Sequence, residues 1–454
     1  MEDYFIQKVI IKDVRDIKNF EIPLDDNERK HLIITGKNGC GKTSTLLEIN
    51  SLLNKLIDNK FKSINQNQKN IEQSKKNIKV HKNALMNHIK NLEIQIKEKK
   101  KFIATNNVTQ KLLQIESNIK SYEDNIQEQK NYIKNNRNNI EAYQKKIDTF
   151  SKIDLIFSNQ DNIYKNIVNG VFILASFKAK RENKQDIPQT PTKQSFQLKY
   201  STDFELNKTF LQYMLNLKTT QAFAQIRKDI IAVEEISKWF NNFENSLKTI
   251  FDKDTLKFVF YDSEYTFKIE YDGKSFGLNE LSDGYSSLLA ILTELILRME
   301  AHKVKAYDMQ GIVLIDEIET HLHVELQKKI LPFLVNFFPK IQFIVTTHSP
   351  FVLSSLSNAI ICDLEKKIVT EDLSAYSYES LVDTYFDTDK YSDEVKEKLK
   401  KYKELTLKDI DNNLEKEELR EYLKIEMFFE NLPKYKNEEI GFQFNRIQQL
   451  KLGA

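Results

Sequence analysis

The sequence predicts an α/β fold in which helices flank a mixed sheet, a long helical hairpin is inserted, and a helical region follows. Three observations lead to this prediction. A glycine-rich loop near the N-terminus stands between an apolar run and a helical pattern. More apolar runs that end in polar residues follow after residue 165. Between these parts, residues 51–150 lack glycine and proline and repeat apolar residues every seven positions.

The glycine-rich loop has the spacing of a phosphate-binding loop. Residues 36–43 read G-K-N-G-C-G-K-T, and a buried strand is predicted at residues 32–34. Glycine lets backbone N–H groups turn toward an anion, and the helix that follows directs its positive end there. We expect Lys42 to bind the β- and γ-phosphates of ATP and Thr43 to ligate Mg²⁺. The nucleotide-binding residues predicted here are Gly36, Asn38, Gly39, Cys40, Gly41, Lys42, Thr43 and Ser44.

Composition excludes several classes of protein. Two cysteines, Cys40 and Cys362, are too few and too far apart for a disulfide framework or a cysteine metal site. This usage predicts a cytoplasmic protein. No stretch reaches the roughly 18 apolar residues of a membrane span, and the first residues lack a signal pattern. We therefore expect no membrane partner.

Residues 51–150 are predicted to form an antiparallel coiled-coil hairpin. A bundle folded back on the head stays an alternative. The hairpin holds about twice as many Lys and Arg as Asp and Glu, which favours nucleic acid as a partner; a solvated rod surface explains the charge equally well. In the first arm, one apolar row contains Ile57, Ile64, Ile71, Ile78, Leu85 and Leu92, and the second is expected to contain Phe61, Ile89 and Ile96. The phase breaks at residues 105–107, and the second arm carries Leu112, Ile119, Ile126, Ile133, Ile140 and Ile147.

Three motifs after the hairpin supply further candidate site residues. Ser282 and Gly284 precede a predicted helix and form a second candidate anion site. An apolar strand at residues 311–315 ends in Asp316, a candidate Mg²⁺ ligand, and Glu317, a candidate base for the attacking water. The strand at residues 341–347 ends at His348, which is placed to sense the γ-phosphate. We predict Glu317, Lys42 and His348 to be the catalytic residues.

The order of these motifs resembles that of the ABC-type ATPase heads of SMC, RecF and related proteins. Residues 316–323, D-E-I-E-T-H-L-H, are similar to the acidic stretch of the RecF and OLD branch. The resemblance implies an ABC-type P-loop ATPase head that uses ATP and Mg²⁺. It also implies a head-to-head dimer, or a higher even-numbered oligomer, in which Ser282 of one subunit completes the ATP site of the other. The Q-loop glutamine of that family has no clear counterpart among Gln185, Gln189 and Gln194.

Within this class, the chain resembles the ATPase subunits of bacterial anti-phage systems of the Septu and PARIS kind. That resemblance implies an ATP-dependent switch that controls a separate effector nuclease. Two alternatives stay open: a DNA-repair or DNA-tethering ATPase, and an ATP-bound scaffold with negligible turnover. We find no nuclease pattern in the chain itself, and Asp409 and Asp411 are interpreted as a solvated helix start.

These patterns divide the chain into four predicted segments. Residues 1–50 form the N-terminal part of the ATPase head, residues 51–150 the hairpin, and residues 151–370 the C-terminal part of the head. Residues 371–454 form a helical C-terminal region, with helices expected at residues 392–405 and 415–429. A length of 454 residues agrees with two or three domains.

Overall fold

The computed structural model divides into two compact units, Met1–Ala375 and Tyr376–Ala454. The residues that it describes are 2–104, 109–302, 309–376, 381, 393–410, 413–431 and 438–452. The predicted turn at residues 105–107, Ser392 and Asp411 lie outside the described residues.

A mixed sheet is the centre of the larger unit, and the described residues contribute six strands to it. In chain order, these strands are β3 (His31–Thr35), β5 (Ile173–Phe177), β9 (Gly311–Ile315), β10 (Ile341–Thr346), β11 (Ala359–Asp363) and β12 (Ile368–Glu371). Their order across the sheet is β12-β11-β3-β10-β9-β5. All neighbours are parallel except β11 and β12. The four parallel strand pairs carry near-continuous apolar runs because helices cover both faces of such sheets.

Two antiparallel sheets accompany the central one. The first has the order β2-β1-β4, and its strands are β1 (Ile6–Val14), β2 (Ile17–Pro23) and β4 (Ile153–Phe157). The second has the order β6-β7-β8, with strands β6 (Lys257–Tyr261), β7 (Thr266–Tyr271) and β8 (Lys274–Gly277). Asp272 and Gly273 join β7 to β8 with positive φ angles of 50° and 73°, which the tight turns of β-hairpins require.

Helices of the larger unit lie before, within and after these strands. They are α1 (Lys42–Ile57), α2 (Phe61–Ala104), α3 (Thr109–Asp148), α4 (Gln160–Val168), α5 (Phe210–Ile226), α6 (Ile230–Phe251), α7 (Asp283–Glu300), α8 (Val324–Phe337) and α9 (Pro350–Leu353). A turn at residues 227–229 separates α5 from α6. The α/β fold class with an inserted helical hairpin is confirmed.

The main core lies between the central sheet, α1 and the sheet β2-β1-β4. Ile49 and Leu53 of α1 are fully buried against it, as are Leu32 and Ile344 of the central sheet. Burial of an aliphatic side chain of this size stabilises a fold by about 1.5–3 kcal/mol. This packing fixes α1, and therefore the loop that precedes it, on the sheet.

Helices α2 and α3 form the antiparallel hairpin that the heptads predict. Lys99 contacts Glu116 near one end, whereas His81 contacts Gln129 further along, so residue numbers rise in one arm as they fall in the other. Residues 51–57 continue α1, and a break at residues 58–60 precedes α2. In the predicted row of the second arm, Ile126 and Ile133 are buried and the other four residues are half-buried.

The prediction for the second row of the first arm is wrong. Ile89 and Ile96 are 39% and 37% exposed, and the side chain of Phe61 lies outside the described part. Polar residues take the inner positions instead: Ser74 is buried, and His81 and His88 face Gln129 and Tyr122 of α3. Gln129 lies 2.7 Å from Nδ1 of His81, whereas Nδ1 of His88 is buried without a hydrogen-bond partner in the described residues. The inner row is therefore polar and only partly satisfied.

The smaller unit consists of helices in its described residues. They are α10 (Asp393–Ile410), α11 (Lys416–Glu430) and α12 (Glu438–Leu452). Tyr402 is fully buried among them and stacks on Tyr422, with ring centroids 5.0 Å apart. Asp409 lies in the last turn of α10 rather than at a helix start. Neither unit has, in its described residues, a helix with the length and apolar character that crossing a bilayer requires.

Gly311 supplies a test of the strand order. A Cβ atom there would lie 2.4 Å from the carbonyl oxygen of Ile173 in β5. Gly311→Ala should push β5 from β9 and lower the free energy of unfolding by about 1–3 kcal/mol. Gly277→Ala is the control, since its Cβ would have 3.8 Å to the nearest atom. Urea denaturation measures both, and equal stability of the two variants would contradict the placement of β5.

Candidate functional site

Parallel pairing of β3, β10 and β9 brings three distant segments to one edge of the sheet. Val345 of β10 is in register with Ile33 of β3 and with Ile315 of β9. The carboxyl ends of parallel strands share one edge, where ligands bind in open α/β sheets. Residues 36–41 follow β3, Asp316 follows β9, and Thr347 follows β10. The candidate residues of these segments therefore meet.

The phosphate loop has the backbone that its glycines predict. Gly36, Gly39 and Gly41 have φ angles of 131°, 88° and 106°, which residues with a side chain rarely adopt. A Cβ atom at Gly36 would lie 2.8 Å from the sulfur of Cys40. At Gly39 a Cβ atom would meet open space. Asn38 is exposed on this loop, and Ser44 is half-buried in the first turn of α1.

Lys42 directs its ammonium into the phosphate loop. Its Nζ donates to the carbonyl oxygens of Gly36 and Lys37 at 2.7 and 3.0 Å. Burial lowers the pKa of Lys42, and the nearby carboxylates of Glu317, Glu319 and Asp316 oppose that shift. A buried cation beside loop amides forms a site for an anion.

Asp316 joins the phosphate loop to the strand β9. Its Oδ1 accepts hydrogen bonds from the hydroxyls of Thr43, at 3.2 Å, and Thr346, at 2.7 Å. Thr43 and Asp316 are 273 residues apart in the chain. Hydroxyl and carboxylate oxygens are the ligands that Mg²⁺ prefers beside a nucleotide. The donor set therefore fits a Mg²⁺ ion, which Thr43 and Asp316 would hold and which would neutralise the charge of a bound phosphate.

Glu317 has a strained backbone. Its φ angle is +43°, in the left-handed region that costs a residue other than glycine about 1–3 kcal/mol. Thr346 Oγ1 accepts a hydrogen bond from its N–H at 2.7 Å, and Thr320 donates to its carboxylate at 3.3 Å. Strain of this kind is concentrated at functional sites, where surrounding contacts maintain it.

Glu319 is a site residue that the sequence did not single out. Its carboxylate accepts hydrogen bonds from the hydroxyl of Thr347, at 2.7 Å, and from the backbone N–H of His348, at 2.5 Å. Burial, with the charge of Lys42, lowers the pKa of His348, so its imidazole is neutral at pH 7. The available signal was the third carboxylate in the D-E-I-E run.

Arg181 is a second residue that sequence reasoning missed. It is 7% exposed, and it donates to the carbonyl oxygen of Asp316 at 2.7 Å and to Ser287 Oγ at 2.8 Å. Burial lowers its pKa to about 10, so the guanidinium stays charged at pH 7. The sequence offers a basic residue a few positions after a buried strand, which is a common pattern.

Ser282 and Gly284 lie at the start of α7. Ser282 is exposed at the helix N-cap, and no hydrogen bond in the described part of the chain joins it to Lys42 or Thr43. Gly284 is buried, and a Cβ atom there would lie 2.9 Å from the carbonyl oxygen of His321. Close packing therefore explains the glycine, and a nucleotide contact from either residue stays a prediction.

Glutamines of the loop after β5 serve local structure. Gln185 donates to the side chain of Asn183 and accepts from the backbone N–H of Leu211 at 3.3 Å. Gln194 donates to the carbonyl oxygen of Thr209 at 3.3 Å. These contacts hold the loop on the start of α5 and give neither side chain a partner among the candidate site residues.

A family profile described as an AAA ATPase domain matches residues 5–353 of the chain. The chain is 36% identical over 145 residues to the Septu protein PtuA of Bacillus mycoides (strain KBAB4). The aligned segment covers 31% of this chain and 19% of that protein. It is 39% identical over 93 residues to the Retron Ec83 probable ATPase of Escherichia coli, 20% of this chain and 17% of that protein. The chain thus aligns with less than a fifth of the length of these relatives.

A second Septu protein PtuA, of Bacillus thuringiensis, is 35% identical over 101 residues, 21% of this chain and 25% of that protein. Among solved structures, a similar one is the Smc head domain with an extended coiled coil, bound to the C-terminal domain of ScpA, from Pyrococcus furiosus. It is 10% identical with a TM-score of 0.30, and the match covers 81% of this chain and 95% of that chain.

The placement of Lys42 predicts a specific loss of nucleotide binding. Lys42→Ala removes a buried charge at the loop, and ATP affinity should fall about tenfold to a hundredfold because charged hydrogen bonds are lost. Isothermal titration with ATP and Mg²⁺ measures this. Lys208→Ala, at a half-exposed lysine paired with Glu205, is the control and should bind as the wild type does. Unchanged affinity in Lys42→Ala would contradict the assignment of the loop.

Proposed function

We propose that this chain, which belongs to the AAA ATPase domain family, binds ATP with Mg²⁺ and hydrolyses it as a dimerising switch. The contact between Thr43 and Asp316 at 3.2 Å carries the proposal. It joins the phosphate loop to a carboxylate from the far side of the hairpin insertion. Mg²⁺-dependent nucleotide hydrolysis needs these two groups side by side.

Each candidate residue has one role in this proposal. Lys42 binds the β- and γ-phosphates, and Thr43 and Asp316 hold Mg²⁺, which when bound neutralises phosphate charge. Glu317 orients the attacking water and accepts its proton, and the neutral His348 contacts the γ-phosphate. The strained backbone of Glu317 supports its role, because it sets the direction of the carboxylate before ATP binds.

The position of Ser282 supports the proposed dimerisation. This residue is exposed at the N-terminus of the 18-residue helix α7, where backbone N–H groups attract anions. A second copy of the chain would bring its own Lys42 loop to that helix start. ATP then lies between two subunits, so the active form is a head-to-head dimer or a larger even-numbered oligomer.

The similar proteins suggest the biological role. Septu and retron ATPases recur among the relatives, and we propose that this chain is the ATPase subunit of a bacterial anti-phage complex in the cytoplasm. In this proposal it controls a separate effector nuclease, and the ATP-bound and ATP-free dimers hold or release that effector. ATP binding and hydrolysis then determine how long the complex stays assembled.

One observation favours a second candidate function, a DNA-repair or DNA-tethering ATPase. Lysines such as Lys82, Lys90 and Lys97 are exposed along α2, where they could follow the phosphates of a nucleic acid. This function requires turnover that duplex DNA stimulates and binding that weakens steeply with salt. ATP turnover that duplex DNA does not stimulate favours the switch. Negligible ATP turnover favours a nucleotide-bound scaffold.

Glu317→Gln tests the proposed base. Hydrolysis should fall at least about a hundredfold because the water loses its proton acceptor, whereas ATP binding persists. Size-exclusion chromatography with ATP should therefore show an accumulated dimer. Glu325→Gln, at an exposed carboxylate of α8, is the control and should turn over normally. Wild-type turnover in Glu317→Gln would remove this residue from the mechanism.

Mixed dimers test the contribution of Ser282 from the second subunit. Ser282→Arg and Lys42→Ala should each lack turnover as pure proteins. An equal mixture should recover roughly a quarter of wild-type turnover, because half of the dimers are mixed and each of those has one complete site. A steady-state phosphate assay measures the recovery. Turnover by pure Ser282→Arg, or no gain on mixing, would exclude a site shared between subunits.

A further inference from the structure

Arg181 links the start of α7 to the turn that carries the candidate base. We propose that Arg181 is a positioning residue for ATP hydrolysis, which sets the backbone of Glu317 according to the position of α7. This inference rests on the proposed function, since it deepens the role of that same site.

Most hydrogen bonds of the Arg181 guanidinium go to residues 316–318, which are called the catalytic turn below. Arginine has five N–H donors in a planar fork. Three of the bonds go to consecutive backbone carbonyls, those of Asp316 at 2.7 Å, Glu317 at 3.2 Å and Ile318 at 3.2 Å. A fourth goes to the carbonyl oxygen of Lys178 at 2.8 Å. The side chain of Arg181 therefore binds the backbone of the turn and leaves the carboxylates of Asp316 and Glu317 available for chemistry.

Those three carbonyls surround a strained position. The φ angle of Glu317 is +43°, which persists when neighbouring contacts over-determine it. Arg181 holds the carbonyl side of the turn, and Thr346 Oγ1 holds the N–H of Glu317 at 2.7 Å. If Arg181 moves, the turn loses its carbonyl contacts, and the direction of the Glu317 carboxylate changes.

The fifth donor connects the turn to α7. Arg181 Nε donates to Ser287 Oγ at 2.8 Å, and Ser287 is 1% exposed. The segment around Arg181 is also attached to this helix at Ser286, whose hydroxyl accepts from the N–H of Asn183 at 2.9 Å. Ser287 lies five residues after Ser282, the residue proposed to contact the nucleotide of a second subunit. A shift of the α7 start is therefore transmitted through Ser287 and Arg181 to Glu317.

Arg298 shows what a purely structural arginine looks like on the same helix. It is buried as deeply as Arg181, at 4% exposure, and pairs with Glu294 at 2.7 Å. Its remaining donors go to the carbonyl oxygens of Leu174, Ser201, Thr202 and Phe204, away from the catalytic turn. The difference in acceptors distinguishes a residue that fastens α7 to the sheet from one that positions the base.

Two variants test the proposal in the full-length chain. Ser287→Ala removes the α7 end of the link, and Arg181→Lys keeps the charge but loses the fork. Both should lower kcat for ATP hydrolysis about tenfold or more, because a small displacement of a catalytic group slows the reaction steeply. The Kd for ATP should change by less than about twofold. Ser246→Ala is the matched control, a buried serine of α6 whose hydroxyl bonds to Asn242 within its own helix.

Three measurements separate the outcomes: steady-state kcat, ATP affinity by titration and the thermal midpoint. The proposal is supported if Ser287→Ala and Arg181→Lys lose kcat while affinity and midpoint match those of Ser246→Ala. It is overturned if Ser287→Ala retains the kcat of the control, or if kcat falls only together with affinity and midpoint. If the wild type turns over ATP, Glu317→Gln abolishes that turnover and Ser287→Ala keeps the kcat of the control, then only the role of Arg181 is overturned. A wild-type chain without turnover overturns the proposed function and this inference together.

Discussion

The parallel register of β3, β10 and β9 is the constraint on which the site depends. Because these strands are adjacent and end together, Thr43, Asp316 and Thr346 come within hydrogen-bonding distance. Thr346 has a central part, since its hydroxyl donates to Asp316 and accepts from the N–H of Glu317. A shift of one residue in either strand pair would separate these groups, so the core packing that maintains the register also maintains the chemistry.

Buried charges are the second organising feature of the head. An unpaired charge away from water costs several kcal/mol, and here backbone carbonyls and, for Arg298, the carboxylate of Glu294 compensate. Lys42 donates to Gly36 and Lys37, Arg181 donates to the carbonyls of residues 316–318, and Arg298 donates to the loop after β5. Each cation thereby fixes a segment without regular secondary structure. Lys42 and Arg181 do this at the edge where β3 and β9 end, whereas Arg298 does it away from residues 316–318.

Sequence reasoning succeeded where a local pattern carries the physics. The positive φ angles of Gly36, Gly39 and Gly41 follow from the loop motif, and the buried strand that ends at Asp316 follows from its apolar run. It failed where packing against a partner helix determines which row of side chains faces inward. Ile89 and Ile96 look like seam residues, yet α3 presents Gln129 and Tyr122 to a different row of α2. Heptad spacing identifies a seam but cannot choose between two neighbouring rows when both contain polar residues.

The sequence by itself determined the nucleotide-binding character of the chain, because the phosphate loop and the acidic strand end are contiguous motifs whose backbone demands are local. It also determined the α/β class and the helical insertion through apolar periodicity. The tertiary structure alone decided that Arg181 grips the turn at Glu317 and that Glu319 holds the N–H of His348. These contacts join residues 136 and 29 positions apart in the chain, so both depend on how the strands pack.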